Sequence, residues 1–172
     1  MSLRVRNTVI PNVVVAGVLA LAGALMPTDT PRQGQWVVVL DPGHGGDETG
    51  AVSGPLIERD SNLDMARRVE AILAGRGVKV VLTRTGEDRP LPAALTLAPE
   101  TATFLDLQTR IAIANSARAD LFVSIHSNYW VDAQPRGLEV YYNPQRGFAE
   151  QSRELAGDLI EGVADSLRKI GR

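Results

Sequence analysis

The sequence contains no cysteine, two histidines and few aromatic residues. Without cysteine the chain forms no disulfide, no thiolate zinc site, no iron–sulfur cluster and no cysteine nucleophile. Aromatic residues make up 5% of the chain, which is little for a surface that stacks bases or sugars. Basic residues are not in excess, because 18 Lys and Arg against 20 Asp and Glu leave a net charge of −2. We therefore expect no nucleic-acid partner.

The N-terminal segment has the pattern of an export signal. Arg4 and Arg6 precede an apolar run from Val13 to Met26, which is short for a permanent membrane span. An uncleaved membrane anchor and a core helix are the alternatives. We expect an exported protein of the periplasm, cell envelope or exterior, which meets the membrane only through this segment. The expected organisation of the 172 residues is a signal peptide at 1–26, a polar linker at 27–35 and one folded domain at 36–172.

Within the domain, apolar β-branched runs alternate with helical patterns. The runs that predict strands are 36–40, 78–83, 121–125 and 138–142. The patterns that predict helices are 61–73 (with Ser61 and Asp64 as a capping box), 104–117 (with Leu107, Ile111 and Ala114 on one side) and 148–169. The proline-containing stretch 85–103 is expected to be a surface loop. This alternation predicts an α/β fold with a mostly parallel sheet flanked by helices on both faces.

Both histidines follow predicted strands. His44 lies four residues after the first strand, and His126 comes directly after the third. Open parallel sheets bind ligands beyond the carboxyl ends of their strands, so we expect the two imidazoles to share a site. Catalytic zinc commonly takes two imidazoles and one carboxylate, with one position left open. The loop that holds His44 offers three carboxylates as the third ligand, Asp47, Glu48 and Glu58. Glu58 is modestly favoured, because it lies just before a predicted helix that would anchor its backbone.

Other catalytic signatures are incomplete in this sequence. Gly43 and Gly45 follow a strand as in a dinucleotide-binding loop, but Glu48 stands where the third glycine is needed. The chain has no Gly-Lys-Ser/Thr phosphate loop, no G-x-S-x-G elbow and no H-E-x-x-H helix. Ser124 lies within a strand and Ser127 just after it, so neither is presented as a nucleophile. Metal-assisted hydrolysis is the chemistry that the residues favour.

Six short segments, taken in order, form a pattern typical of one enzyme family. They are VVLDPGHGG at 38–46, ERDSNL at 58–63, VVLTR at 80–84, RIAIAN at 110–115, ADLFVSIHSN at 119–128 and RGLEVYY at 136–142. They resemble the zinc-dependent N-acetylmuramoyl-L-alanine amidases of the amidase-3 type. The resemblance implies a Zn²⁺ cofactor held by His44, Glu58 and His126. It also implies peptidoglycan as the substrate, cleaved at the amide between N-acetylmuramic acid and L-alanine of the stem peptide.

One expected part of the family pattern has no counterpart up to Arg172. The family carries a further glutamate, the general base, in a Glu-Thr-Gly-Phe-like segment near the end of the domain. The catalytic base is therefore unknown, and we expect the domain to be incomplete, with its last elements missing. A catalytically inactive, zinc-holding module that binds the cell wall or regulates a partner is the alternative function. A zinc hydrolase of the same fold with another amide substrate is a third hypothesis.

Several polar residues of the same segments have supporting roles in this interpretation. Asp41 is expected to hydrogen-bond the turn that aims His44. Arg84 and Arg110 are interpreted as structural pairing partners. Asn128 either shapes its loop or donates a hydrogen bond to substrate, and Glu139 is interpreted as structural.

Overall fold

The computed structural model describes residues 2–4, 14–20, 34–91, 98–127 and 137–169. These residues form eight strands and three helices in an α/β arrangement. The strands are β1 (Ser2–Arg4), β2 (Val14–Ala20), β3 (Val37–Pro42), β4 (Val52–Ser53), β5 (Leu56–Ile57), β6 (Lys79–Leu82), β7 (Leu121–Ile125) and β8 (Gly137–Tyr142). The helices are α1 (Glu58–Ala74), α2 (Pro99–Ser116) and α3 (Ala149–Lys169).

Six of these strands form one mostly parallel sheet, in the order β1-β8-β2-β7-β3-β6. β3 pairs in parallel with β6 and β7, and β2 pairs in parallel with β8. The β1–β8 and β2–β7 pairs are antiparallel. All six residues of β3 are buried, as its continuous apolar run predicts for a strand between parallel neighbours. β4 and β5 form a separate two-stranded hairpin.

Helices cover both faces of the sheet, as predicted. Val38 and Leu40 of β3 pack with Ala66 of α1 on one face. Val39, which points the opposite way, packs with Ala114 of α2 on the other. α3 covers β8 through a further apolar cluster, whose buried members are Leu138, Val140, Tyr142, Ala156 and Ile160. The fold class expected from the alternation of strands and helices is therefore confirmed.

Helix α1 begins earlier than the sequence predicts. Glu58 is its first residue, so Ser61 lies in the first turn and is not a cap. The Ser61 hydroxyl donates to the Ile57 carbonyl at 3.1 Å instead. The predicted capping box is wrong, because Ile57 occupies the N-cap position and makes no side-chain cap. The predicted end is confirmed, since Gly75 follows the last helical residue.

Helix α2 also differs from its prediction. It begins at Pro99, inside the stretch expected to be a loop, because proline suits the first turn of a helix. Of the three residues predicted on its apolar side, Ala114 is buried as expected, but Leu107 is 53% and Ile111 is 38% exposed. The helix instead buries residues spaced four apart, which are Asp106, Arg110 and Ala114. Of the stretch 85–103, residues 92–97 lie outside the described part of the chain.

The apolar N-terminal run contributes a strand to the sheet. β2 lies between β7 and β8, with Ala20 opposite Val123 and Leu19 opposite Tyr141. This pairing does not test whether residues 1–26 are a signal peptide, which stays a prediction. The first seven residues of the predicted linker, 27–33, lie outside the described residues. None of the described helices has the length and apolar character needed to cross a membrane.

Candidate metal centre

The topology brings three predicted site residues to one edge of the sheet. β3 and β7 are parallel neighbours, so their carboxyl ends coincide, with Pro42 opposite Ile125. The Gly43 N–H donates to the Ile125 carbonyl at 2.9 Å and ties the two strand ends together. His44 and His126 follow these ends, and the first residue of α1, Glu58, lies against both.

The three side chains offer three donor atoms in a small triangle. His44 Nε2 lies 3.2 Å from Glu58 Oε1, and His126 Nδ1 lies 3.3 Å from the same oxygen. The two imidazole nitrogens are 3.2 Å apart. Tetrahedral zinc with bonds of about 2.0–2.1 Å separates its ligand atoms by about 3.3–3.4 Å. Among the described residues these three form a group able to hold a metal ion, and its dimensions and donor types fit zinc.

The other two loop carboxylates lie outside this triangle. Glu48 Oε1 lies 3.7 Å from His44 Nδ1, the ring nitrogen that does not face Glu58. Glu48 therefore lies on the outer side of the His44 ring, while Nε2 faces the centre. Asp47 is exposed and does not belong to the group. Of the three candidates that the sequence left open, Glu58 is the one the fold places between the histidines.

Glu58 is held as a carboxylate by its surroundings. Its side chain is 6% exposed. Oε2 accepts from the Ala51 N–H at 2.9 Å, and Oε1 accepts from the Ser127 N–H at 2.8 Å. Burial raises the pKa of Glu58, but hydrogen bonds with His126, His44 and the Ala51 N–H lower it by more. The net effect is a pKa well below the ordinary range, so the group is anionic near neutral pH.

Two buried arginines fix the turn that carries His44. Arg110 donates to the Pro42 carbonyl at 2.9 Å and to the His44 carbonyl at 2.8 Å. Arg84 donates to the Pro42 and Gly43 carbonyls at 2.9 and 3.0 Å. These bonds hold His44 in a left-handed conformation, with φ of 67°, that non-glycine residues rarely adopt.

Asp41 supports this arrangement indirectly. Its Oδ1 accepts from Thr83 Oγ1 at 2.6 Å and from Arg110 Nη1 at 2.7 Å. Its Oδ2 accepts from Ser124 Oγ at 2.7 Å. Asp41 thus supports the His44 turn through Arg110, and not by the direct hydrogen bond that the sequence predicted.

The structural role inferred for the two arginines agrees with these contacts, but their partners differ. Arg110 pairs with Asp41 and with Asp106, whose Oδ1 lies 2.8 Å from Arg110 Nε. Burial lowers the pKa of Arg110, and Asp106 and Asp41 raise it by more. Arg84 bonds main-chain carbonyls, including that of Arg59 at 2.7 Å. Burial, followed by the charge of Arg110, lowers the pKa of Arg84 to about 10.

Two glycines leave the space that the site needs. A Cβ on Gly43 would lie 2.2 Å from Cε1 of His126. A Cβ on Gly50 would lie 2.6 Å from Cδ2 of His44 and 2.7 Å from Oε2 of Glu58, and Gly50 has a φ of +66°. The sequence did not reveal Gly50, because it lies outside the motif segments and its role comes from side chains that approach it in the fold.

Asn62 was missed as well. It is fully buried on α1, and its amide contacts Glu58 and both histidine-bearing segments. The available signal was its place in the ERDSNL segment at 58–63, four positions after Glu58, a spacing that puts both residues on one face of a helix.

Two sequence-predicted residues stand apart from the centre or outside the described part of the chain. Asn128 lies outside the described residues, so its expected role stays a prediction. Glu139 Oε2 accepts a hydrogen bond from the Tyr141 hydroxyl at 2.5 Å on β8, in keeping with a structural role.

Comparison with known proteins gives one consistent family. The model of the N-acetylmuramoyl-L-alanine amidase family matches residues 38–171. The amidase LytC of Bacillus subtilis is 37% identical over 130 residues, which cover 76% of this chain and 23% of that protein. The germination-specific N-acetylmuramoyl-L-alanine amidase of the same organism is 31% identical over 147 residues, which cover 85% of this chain and 61% of that protein.

A solved structure agrees with this assignment. The CwlD amidase from Clostridioides difficile, determined in complex with the GerS lipoprotein, superposes with a TM-score of 0.57 and 27% identity. The match covers 60% of this chain and 53% of that one. The chain thus spans between about a quarter and three-fifths of the length of these relatives. By its sequence, its fold and a group of residues able to hold a metal ion, the chain belongs to the N-acetylmuramoyl-L-alanine amidase family.

Proposed function

We propose that this chain is the zinc-binding part of an exported peptidoglycan amidase. Its reaction is hydrolysis of the amide between the lactyl group of N-acetylmuramic acid and L-alanine. The observation that carries the proposal is the triangle of donor atoms from His44, Glu58 and His126, with sides of 3.2, 3.2 and 3.3 Å. Family membership supports the substrate class.

The charge of the donor set suits this chemistry. Two neutral imidazoles and one carboxylate leave a dipositive ion with one net positive charge. When bound, zinc supplies a Lewis acid that polarises a carbonyl oxygen and acidifies water. The ligand residues differ in exposure: the Glu58 side chain is 6% and that of His126 is 35% exposed. Substrate therefore approaches from the His126 side, while Glu58 stays shielded from water.

The residues around the ligands contribute rigidity. Arg110 and Arg84 hold the carbonyls of the His44 turn, and Glu48 faces the outer nitrogen of the His44 ring. Orientation of this kind keeps ligand geometry constant during turnover, which hydrolysis at a fixed centre needs. Asn128, two residues after His126 in the sequence, is proposed to hydrogen-bond the substrate. The general base stays the glutamate that the family resemblance implies, which has no counterpart up to Arg172.

A direct assay tests the proposed reaction. The zinc-loaded chain is incubated with a muramyl peptide, and the products are separated and identified by their masses in mass spectrometry. Because the general base has no counterpart up to Arg172, the proposal predicts slow cleavage, roughly 10²–10⁴-fold below that of an enzyme with a positioned base. Cleavage takes up one water and leaves a free lactyl carboxylate on the sugar and a free amino group on L-alanine. Glu58→Gln is expected to abolish the reaction, whereas Asp47→Asn, an exposed carboxylate of the same loop, leaves it unchanged.

The other outcomes of this assay are also informative. Muramyl-peptide binding by the zinc-loaded chain, with no cleavage even at this slow rate, contradicts the catalytic proposal for these residues and favours the inactive cell-wall-binding or regulatory module. Cleavage of a different amide, with the muramyl bond intact, favours a zinc hydrolase with another substrate.

Export is a separate part of the proposal. It is supported by Arg4 and Arg6 ahead of the apolar run Val13–Met26 and by the N-acetylmuramoyl-L-alanine bond named in the family description, since peptidoglycan lies outside the cytoplasm. Fusing residues 1–35 to a reporter that is active only outside the cytoplasm tests it. We expect reporter activity, and its loss when both arginines are replaced by glutamate and the run is interrupted by charged residues. An inactive wild-type fusion would contradict export through this segment.

A further inference from the structure

We propose that Asn62 is a positioning residue whose side-chain amide holds the three ligand-bearing segments of the metal centre in register. It binds neither metal nor substrate and acts through Glu58 and through the segments that carry His44 and His126. The inference rests on the proposed zinc site, and it adds a residue that the family pattern of ligands does not include.

The contacts of Asn62 reach each segment once. Its Nδ2 donates to the Gly43 carbonyl at 3.3 Å, next to His44 in the chain. The same Nδ2 lies 3.5 Å from Glu58 Oε1, a long hydrogen bond within helix α1. Its Oδ1 accepts from the Ser127 hydroxyl at 3.0 Å, next to His126. One amide thereby links β3, α1 and β7 at the point where their ligands converge.

The chemistry of an amide is what these contacts need. A carboxamide carries two N–H donors and one carbonyl acceptor, which match two acceptors on one side and a hydroxyl on the other. A carboxylate of the same shape has no donor, so an aspartate would face the Gly43 carbonyl and the Glu58 carboxylate with like-signed oxygens. An apolar residue of similar volume would leave the Gly43 carbonyl and the Ser127 hydroxyl with fewer partners.

The burial of Asn62 argues that these bonds are the reason for its presence. Its side chain is 0% exposed, on the helix face that also buries Leu63 and Ala66. A buried amide without partners costs about 1–3 kcal/mol relative to an apolar residue. Simple packing therefore favours leucine or alanine here, whereas Asn62 gives the Glu58 Oε1 that faces both imidazoles a second donor besides the Ser127 N–H.

The test compares Asn62→Asp with Asp64→Asn, the reverse exchange two residues along the same helix. Asp64 is 64% exposed and pairs with Arg68 at the surface, so its substitution serves as the control. Zinc affinity is measured by competition with a chromophoric chelator, and cobalt is substituted to record the visible absorption of the tetrahedral ion. The melting temperature without metal reports folding separately.

We expect Asn62→Asp to bind zinc about 10–100-fold more weakly and to change the cobalt spectrum, as loss of an orienting contact does. Asp64→Asn is expected to match wild type in both. A folded Asn62→Asp protein with wild-type zinc affinity and cobalt spectrum would overturn the inference while leaving the zinc site in place. A wild-type chain that binds no zinc would overturn the proposed site and this inference with it.

Ser127→Ala keeps the inference testable if Asn62→Asp does not fold. This change removes one partly buried hydroxyl and leaves the Ser127 N–H that donates to Glu58. We expect a several-fold loss of zinc affinity and an altered cobalt spectrum at an unchanged metal-free melting temperature. Wild-type zinc binding in Ser127→Ala, with Asn62→Asp unfolded, would assign Asn62 to the core and reject the positioning role.

Discussion

At the scale of single residues, Gly50 and Gly54 offer a matched pair. Both have a left-handed φ, +66° and +58°, but a Cβ on Gly50 meets His44 and Glu58, whereas a Cβ on Gly54 meets nothing within 4 Å. We predict that Gly50→Ala lowers zinc affinity at least tenfold, because the added methyl group displaces two ligands. Gly54→Ala shares the conformational cost of about 1 kcal/mol and keeps zinc affinity. Isothermal calorimetry of both variants checks this, and equal affinities would contradict it.

The lowered pKa of Glu58 predicts a pH dependence of stability in the metal-free protein. Since its pKa is lower folded than unfolded, its ionised form stabilises the fold fully above the ordinary value of 4.5, and this contribution falls as the pH drops toward the folded value. The difference in unfolding free energy between wild type and Glu58→Gln should shrink by roughly 1 kcal/mol per pH unit below that value.

Urea unfolding at pH 6, 4 and 3 in the presence of a chelator measures this difference. Titrating groups away from Glu58 are common to both proteins and cancel, whereas the two histidines in contact with it titrate together with it, so the measured slope belongs to the group of three. A difference that stays constant or grows toward pH 3 would show that the native contacts of Glu58 do not favour its charge.

Individual site residues differed in how far the sequence revealed them. His44 and His126 were identifiable because strand ends converge at one edge of a parallel sheet, and Glu58 because the family motif contains it. Gly50 was not identifiable, and Asn62 was not singled out although it lies in the same ERDSNL segment as Glu58, since the importance of both arises from side chains that approach them in three dimensions. A local pattern carries no record of such contacts.

At the scale of elements, the attachment of α2 to β3 depends on charge. Arg110 of α2 pairs with Asp41 of β3 and with Asp106, and all three side chains are nearly buried. We predict that Arg110→Met destabilises the protein by about 3–5 kcal/mol, because two buried carboxylates lose their partner. Denaturant unfolding of the metal-free protein measures the change.

The control is a similar ion pair on α1. Arg68 and Asp64 are also four residues apart, and their Nε–Oδ distance of 2.8 Å equals that of Arg110 and Asp106, but the Arg68 side chain is 75% exposed. Arg68→Met should therefore cost no more than about 1 kcal/mol. Similar losses from the two substitutions would contradict the importance of burial at Arg110.

The same helix shows why its side-chain pattern misled the prediction. Hydrophobic periodicity places Leu107 and Ile111 inward, whereas the fold turns Asp106 and Arg110 inward to hold the His44 turn. Functional demand on a polar pair outweighs the apolar pattern here. The start of the helix at Pro99 was not predicted, because the prolines of the stretch 85–103 were interpreted as evidence for a loop.

At the scale of the whole molecule, the centre joins segments that are distant in the chain. His44 and His126 are 82 residues apart, and Glu58 lies on the helix between the strands that precede them. A ligand bound only by the folded state stabilises it by mass action. Zinc at 100 times its dissociation constant should therefore add about 2.7 kcal/mol to the unfolding free energy.

Thermal unfolding with zinc and after removal of zinc by a chelator measures this stabilisation. The gain should vanish in His126→Ala, because the triangle of donor atoms is then incomplete. An equal gain in His126→Ala would place the stabilising zinc elsewhere on the protein.

The fold class was predictable at this scale, but the order of strands was not. Alternation of strands and helices determines a mainly parallel sheet with helices on both faces. The position of β2 between β7 and β8 depends on long-range pairing, and its apolar sequence is equally typical of a signal-peptide core. Composition does not distinguish these two uses of one segment.

The central claim is that His44, Glu58 and His126 bind one zinc ion, and metal analysis with binding titration tests it most directly. Zinc per chain and its dissociation constant are measured for wild type, Glu58→Ala and Asp47→Ala. The account predicts one tightly bound zinc in wild type and Asp47→Ala, and an affinity at least 100-fold weaker in Glu58→Ala. Unchanged stoichiometry and affinity in Glu58→Ala would contradict it.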